Sequence, residues 1–109
     1  MTLGVAAGFN LANLGTLTTA GVTAPQQSTG VNTTFQVTVT GIGTNVVMRF
    51  EGSLDGIGYF NMATAEADYT ITANGVYGYA LFAPVQFVRA RLVSASGGTP
   101  SVAVVAGTI

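Results

Sequence analysis

The sequence predicts an all-β protein, a single antiparallel β-sandwich of jelly-roll type with about eight strands. Three observations lead to this prediction. Threonine and valine, which favour strands, are abundant, and fifteen glycines suit frequent turns. Apolar and polar residues alternate over several short runs, as in strands buried on one face. Turn signals separate these runs, and no segment has the period of a helix. At 109 residues the chain is long enough for one domain.

The N-terminal residues 1–15 are predicted to form an apolar arm, and residues 16–109 the sandwich domain. Three glycines in the arm disfavour a stable helix. Packing on its own domain as an edge strand is equally compatible with the pattern, and a disordered terminus is a third alternative. A signal peptide is not expected, because no basic residue precedes the apolar run. No run of 18 apolar residues occurs, so neither a transmembrane helix nor a membrane partner is expected.

The first strands follow the arm. Residues 16–24 are predicted to form a strand that ends at Pro25, and residues 26–32 a polar loop. Residues 33–40 show the clearest alternation, with Phe35, Val37 and Val39 facing the core. Gly41-Ile42-Gly43 is expected to turn the chain.

Residues 45–61, NVVMRFEGSLDGIGYFN, are predicted to form the central hairpin. Its first arm places Val46, Met48, Phe50 and Leu54 on one face and most of the polar residues on the other. Asp55-Gly56 predicts the tight turn, because glycine tolerates the positive φ that such turns require.

The second half of the chain continues the strand–turn pattern. Residues 63–68 are compatible with a helical turn or a loop, and Asn74-Gly75 and residues 97–100 are turn signals. The predicted strands cover residues 69–73, 76–82, 85–95 and 101–109. The last strand is apolar on both faces, which favours a central position or a subunit contact.

Composition excludes several classes of function. The chain has three arginines and no lysine, so a nucleic-acid partner is not expected. Without histidine, cysteine or lysine, the usual nucleophile–base pairs and zinc sites are missing. The acids Glu51, Asp55, Glu66 and Asp68 show no spacing typical of a catalytic pair. We therefore expect neither enzymatic activity nor a cofactor.

Association is expected instead. Only 6% of the residues are charged, which gives weak repulsion between copies. The surface is therefore predicted to be covered by further copies of the chain or by a larger partner. A Thr/Asn/Gly-rich surface that stays hydrated without charge is the alternative.

Three groups of residues are candidates for a site. Arg49, Glu51, Arg89 and Arg91 lie on the polar faces of long strands and would form a charge network, within one chain or between subunits. Asp55, Glu66 and Asp68 would suit a hard cation but are more simply turn and surface carboxylates. The third group is aromatic, and it is interpreted either as a sugar-binding face or as ordinary core packing. Its members are Tyr59, Phe60, Tyr69, Tyr77 and Tyr79.

Three runs resemble small virion accessory proteins of tailed bacteriophages. They are VVMRFEGSLDGIGYFN, TTFQVTVTGIGTN and VQFVRARLVSASGG, and the resemblance covers roughly residues 33–98. It implies a β-sandwich that acts as a capsid decoration (cement) protein or a related head-fibre or knob protein.

This resemblance also implies partners and a location. Such a protein is expected to form a homo-oligomer, for which a trimer is favoured. It is also expected to bind the major capsid protein on the outer surface of the phage head. The candidate subunit or capsid interface consists of Leu3, Val5, Phe9, Leu11, Leu14, Arg49, Glu51, Arg89 and Arg91. A carbohydrate-binding or host-adhesion module of a phage fibre or tail is the alternative function.

Overall fold

The computed structural model of the chain describes residues 10–28 and 32–108. The prediction of an all-β fold is confirmed, since the described residues form eight strands in one antiparallel sheet. No helix capable of crossing a membrane occurs among them. The strands are β1 (Asn10–Leu17), β2 (Gly21–Val22), β3 (Gln26–Gln27), β4 (Thr33–Ser53), β5 (Phe60–Asn61), β6 (Tyr69–Ile71), β7 (Gly75–Leu81) and β8 (Phe87–Thr108).

The sheet consists of four long chain passes. Strands β1, β2 and β3 pair in succession along one edge of β8 and form pass 1. Strand β4 is pass 2, and it pairs with the other edge of β8, which is pass 4. Strands β5, β6 and β7 pair in succession along the free edge of β4 and form pass 3. The order across the sheet is therefore pass 1, pass 4, pass 2, pass 3, with every neighbour antiparallel.

Chain length shows that this sheet is folded on itself. The 22 residues of β8 would span about 70 Å if fully extended, but the molecule measures only 39 Å in its longest dimensions. Gln26 and Gln27 pair near one end of β8, yet they line the same cleft as Thr108 at its other end. The two halves of the sheet consequently face each other, which is compatible with a sandwich.

The sheet folds over at its middle, where β4 and β8 cross from one half to the other. The pairing register shifts on either side of Ile42, and Gly97 and Gly98 lie opposite in β8 with positive φ. A side chain at Gly43 would overlap the backbone of Gly97 and Gly98. The bend therefore depends on glycines whose backbones approach closely.

The core lies between the two halves. Phe35 and Phe50, from opposite halves of β4, stack with their ring centroids 4.4 Å apart. Alternate residues of the two long strands supply most of the rest, in agreement with the predicted alternation. The largest fully buried aliphatic and thioether side chains are Val37, Val39, Val46, Met48, Ile71, Val88, Leu92, Val102 and Val104.

Several strand boundaries differ from the prediction. The predicted turn at residues 41–43 is a bend within β4, and residues 97–100 likewise lie within β8, since the paired strands bend together without separating. The first described strand is β1, which begins at residue 10 and not at residue 16. Residues 10–15 thus lie on the sheet edge, and Leu14 is buried in the core. Residues 1–9 of the predicted arm lie outside the described residues.

The turn signals also act differently from the expectation. Asn74-Gly75 does not join a hairpin of β6 and β7, because both strands pair with β4 and continue along the same edge. There the Asn74 side-chain Oδ1 accepts a hydrogen bond from the Ile42 backbone N–H at 2.9 Å. The Asn74-Gly75 pair therefore marks the point at which pass 3 bends together with β4.

Candidate functional site

All three arginines of the chain converge on one carboxylate, that of Glu51. Arg89 Nε donates to Glu51 Oε1 at 2.7 Å, and Arg91 Nε donates to Oε2 at 3.0 Å. Arg49 lies further away, with NH1 3.9 Å from Oε2. The register explains the convergence, because Glu51 pairs with Arg89 across the β4–β8 ladder and Arg49 pairs with Arg91. The outer face of the sheet therefore carries a compact charge cluster.

Glu51 is buried, with 5% of its surface exposed. Burial by itself disfavours the charged carboxylate, but the hydrogen bonds from Arg91 and Arg89 outweigh it and hold the pKa of Glu51 below its ordinary value. The carboxylate is therefore ionised at neutral pH. Arginines of the same chain balance this negative charge, and three guanidinium groups surround the one carboxylate.

A second pair extends the cluster to the edge of the sheet. Arg49 holds Asp68 through two hydrogen bonds, Nε to Oδ1 at 2.7 Å and NH2 to Oδ2 at 3.0 Å. The hydrogen bond from Arg49 is the main reason that the pKa of Asp68 lies below its ordinary value. Asn61 Nδ2 also donates to Asp68 Oδ1, at 3.3 Å. The charge cluster thus comprises Arg49, Glu51, Asp68, Arg89 and Arg91.

The charge cluster supports a neighbouring loop, residues 54–60. The Arg89 guanidinium carbon lies 3.8 Å from the centroid of the Tyr59 ring, a cation–π contact. At the return of the loop, Asn61 pairs with Glu51 and Phe60 with Gly52. The hairpin predicted here is therefore present, but its loop is longer than a two-residue turn.

A single carboxylate organises the loop. Asp55 Oδ1 accepts hydrogen bonds from the Ile57 and Gly58 backbone N–H groups at 2.8 and 3.0 Å and from the Ser53 hydroxyl at 3.0 Å. The Ile57 and Gly58 bonds are the largest causes of the lowered pKa of Asp55. Gly56 has a φ of 77°, and a Cβ at this position would lie only 3.2 Å from the Phe87 ring. The loop therefore has a defined shape.

This shape presents apolar side chains to solvent. Ile57 is 86% exposed, Leu54 is 68% exposed, and Phe60 is 47% exposed. The alternation predicted Leu54 on the same face as the buried Phe50, but β4 ends at Ser53 and Leu54 lies exposed in the loop. We call residues 54–60 the apolar loop. It borders the charge cluster at Tyr59, so the two form one continuous surface.

The predicted interface residues fall into three groups. Arg49, Glu51, Arg89 and Arg91 meet within one chain, which is one of the two arrangements that the sequence left open. Leu11 is exposed on β1, whereas Leu14 is buried in the core and is not accessible to a partner. Leu3, Val5 and Phe9 lie outside the described residues. Whether any of these residues contacts a subunit or a capsid stays a prediction.

The aromatic residues do not form one exposed face. The rings of Tyr69 and Tyr79 lie 4.4 Å apart and both pack near Phe50 at the border of the core. Burial raises the pKa of the Tyr79 hydroxyl. Tyr77 faces the same side of β7 and donates its hydroxyl to the Ala73 carbonyl at 2.6 Å. These three tyrosines therefore match the core-packing interpretation.

The acids are likewise separate. In residues 10–28 and 32–108, no group of three or more acidic, histidine or cysteine side chains is placed to hold a metal ion. The Asp68 carboxylate is bound by Arg49, and the Asp55 carboxylate accepts hydrogen bonds from the backbone of the apolar loop. The arrangement is thus suited to binding a surface through apolar contact beside guanidinium groups, with each carboxylate near the loop already engaged.

Sequence reasoning missed the apolar loop and the membership of Asp68 in the cluster. A signal for the loop was present: Ser53-Leu54-Asp55 followed by two nearby glycines is typical of a turn held by side-chain hydrogen bonds. In such a turn the intervening Leu54 and Ile57 have no strand partner to cover them. Asp68 offered no comparable signal, because it reaches Arg49 only through the pairing of β6 with β4.

Comparisons with known proteins support the fold. No protein-family profile matches the chain, and no curated protein sequence matches it. The fold is similar to that in the crystal structure of SPBc2 prophage-derived protein YomS, with a TM-score of 0.63 and 12% sequence identity. The alignment covers 98% of this chain and 97% of that chain. The similarity in fold thus extends over nearly the whole length of both chains.

Proposed function

We propose that the chain is a non-enzymatic structural protein of a phage particle, which decorates the head by binding the outer surface of the major capsid subunits. The observation that carries the proposal is the apolar loop. Large apolar side chains are held in solvent by a hydrogen-bonded turn. Exposed apolar groups on a fixed scaffold are typical of protein-binding surfaces.

The pre-formed shape of the loop favours binding. A loop that is ordered before contact loses less conformational entropy on association. Ile57 and Leu54 would supply apolar contact area, and the guanidinium groups of Arg89 and Arg91 would form a polar border that meets carboxylates or carbonyls of the capsid. Because many copies bind one lattice, modest affinity at each position is sufficient for stable attachment.

Two further observations support a phage structural role. The fold is similar to that of a prophage-derived protein, and the sequence resemblance to virion accessory proteins includes the apolar loop itself. Fold alone does not determine function, so the surface carries the argument.

Co-sedimentation with phage heads that lack this protein tests the proposal. We expect the wild-type chain to sediment with the heads at a fixed stoichiometry, and Ile57→Ser to lose most of this binding. Val105→Ser is the matched control, because Val105 is also a β-branched, partly exposed side chain, but it lies opposite Gln36 on the half of the sheet that lacks the apolar loop and the charge cluster. It should bind as the wild type does.

Two results would contradict the proposal. If the wild-type chain fails to sediment with heads but binds glycans on an array, the adhesion alternative would replace head decoration. If Ile57→Ser binds heads as well as Val105→Ser does, the apolar loop is not the attachment surface.

A further inference from the structure

Strand β7 is an open edge of the sheet. In the part of the chain that the structure describes, β7 pairs only with β4, and the register from Thr33↔Leu81 to Val39↔Gly75 has no irregularity. The opposite edge differs, because β1 contains a register shift between Asn13 and Gly15. Bulges of this kind hinder pairing with another chain, whereas a regular edge leaves backbone N–H and C=O groups available for it.

The open edge also lacks the usual charged protection. Edge strands in soluble proteins are commonly guarded by lysine, by proline within the strand or by an inward charge. No charged residue occurs between Asp68 and Arg89, and Pro84 lies beyond the end of β7. Two copies could therefore approach at this edge without like-charge repulsion.

The outward side chains of β7 are self-complementary in one register. Tyr77 and Tyr79 pair with Val37 and Phe35 and face the core side. The outer face carries Val76, which is 65% exposed, then Gly78, Ala80 and, just after the strand, Phe82, which is 75% exposed. In an antiparallel pair centred on Tyr79, Val76 lies opposite Phe82 of the second copy and Gly78 opposite Ala80.

From this pattern we propose that β7 binds β7 of a second copy in an antiparallel pair centred on Tyr79. The contact is symmetric, so it closes as a two-fold dimer and joins the two four-pass sheets into one. Backbone hydrogen bonds would provide the pairing, and the two Val76–Phe82 contacts would cover side chains that are exposed in the single chain. The proposal is independent of head decoration.

The test is the absolute mass of the full chain, measured by light scattering after size exclusion over a range of concentrations. The wild-type chain should reach twice the chain mass of 11.0 kDa. Ala80→Lys should stay at the mass of one chain at the same concentrations. Thr34→Lys is the matched control: Thr34 lies opposite Ala80 on the same face, but on β4 inside the sheet. It should remain dimeric.

A second variant tests the register. In the proposed pair residue 78 faces residue 80, so Gly78→Glu combined with Ala80→Lys places opposite charges across the dyad twice. This double variant should restore the dimer that Ala80→Lys loses, while circular dichroism shows that every variant is folded. Failure of the double variant to restore the dimer would overturn the register.

Other outcomes would overturn the edge contact itself. A wild-type monomer at all concentrations would do so, as would a trimer whose mass Ala80→Lys leaves unchanged. Equal loss of the dimer in Thr34→Lys would place the contact on the sheet face and not on its edge.

Discussion

Glu51 is the residue on which the outer face of the sheet depends. Two arginine Nε groups compensate its buried charge, and both become uncompensated if that charge is removed. Removing one member of a buried ionic group commonly costs several kcal/mol, even where the intact group adds little net stability. Because the arginines left unpaired are partly exposed, we expect Glu51→Gln to lower the free energy of unfolding by about 1–3 kcal/mol.

Asp68 provides the control for this prediction. It also pairs with an arginine, but both side chains of the Arg49–Asp68 pair are partly exposed. Exposed pairs contribute only about 0–1 kcal/mol, so Asp68→Asn should have a small effect. Urea unfolding of both variants measures the difference. Equal losses would show that burial of Glu51 does not control the energetics of the cluster.

Acid sensitivity follows from the same carboxylates. The pKa values of Glu51, Asp55 and Asp68 are lowered in the folded chain, so the unfolded chain binds more protons in the acid range. Their contribution is fully present above the unfolded pKa values of about 4 and is lost as the pH falls through the lower folded values. The chain has no histidine or cysteine to titrate between about pH 5 and 8.

The free energy of unfolding should therefore be nearly constant from about pH 8 to 5 and should fall below about pH 4. Urea midpoints measured across this range check the prediction. A substantial loss between pH 7 and 5, or a gain in stability toward low pH, would contradict these assignments.

At the residue scale, alternation along β4 and β8 was sufficient to predict which charged residues share the polar face. Register was needed to show that Glu51 lies directly opposite Arg89, and register depends on pairing between distant segments. The exposure of Leu54 was not predictable from alternation, because the pattern continues past the residue at which the strand ends.

At the element scale, the bend of the sheet depends on glycine contacts. A methyl group at Gly43 would overlap the backbone of Gly97 and Gly98, and backbone cannot move aside as a flexible side chain can. Gly43→Ala should therefore cost more than about 2 kcal/mol or prevent folding.

Gly58 is the matched control for Gly43. It lies in the apolar loop with no atom within 4 Å of the position that a Cβ would occupy, and its φ is not positive. Gly58→Ala should change stability by no more than about 0.5 kcal/mol. Thermal unfolding compares the two variants, and a Gly43→Ala protein as stable as Gly58→Ala would contradict the close approach at the bend.

The glycines also explain which elements were predictable. Gly41, Gly43 and the Gly97-Gly98 pair were recognised as breaks, and the chain does change direction there. A local pattern does not distinguish a turn that separates two strands from a bend that two paired strands share. The difference lies in the 56 residues that separate the β4 and β8 partners at the bend, Ile42 and Gly98, a distance that no short sequence window contains.

At the scale of the whole molecule, charge is confined to one half of the folded sheet. All seven charged residues lie within residues 49–68 and 89–91. The outer face of the other half, formed by β7 and its paired segments of β4, β8 and β1, carries no charge within residues 10–28 and 32–108. The molecule therefore has a charged half bordered by the apolar loop and an uncharged half with the open edge.

Sequence reasoning predicted a weakly charged adhesive surface. It did not predict that the charged and uncharged parts lie on different halves of the molecule. Folding of the sheet places the apolar loop and the charge cluster together and leaves β7 on the other half. The two proposed contacts use different halves, so a dimer joined at β7 could still present two apolar loops to a lattice.

Electron cryomicroscopy of the phage particles to which the proposed function assigns this chain tests the central claim most directly. Head decoration predicts density for the four-pass sheet on the outer surface of the head, with residues 54–60 against the major capsid subunits. Density for the chain at the tail or fibre tip, or particles that lack the chain altogether, would contradict it.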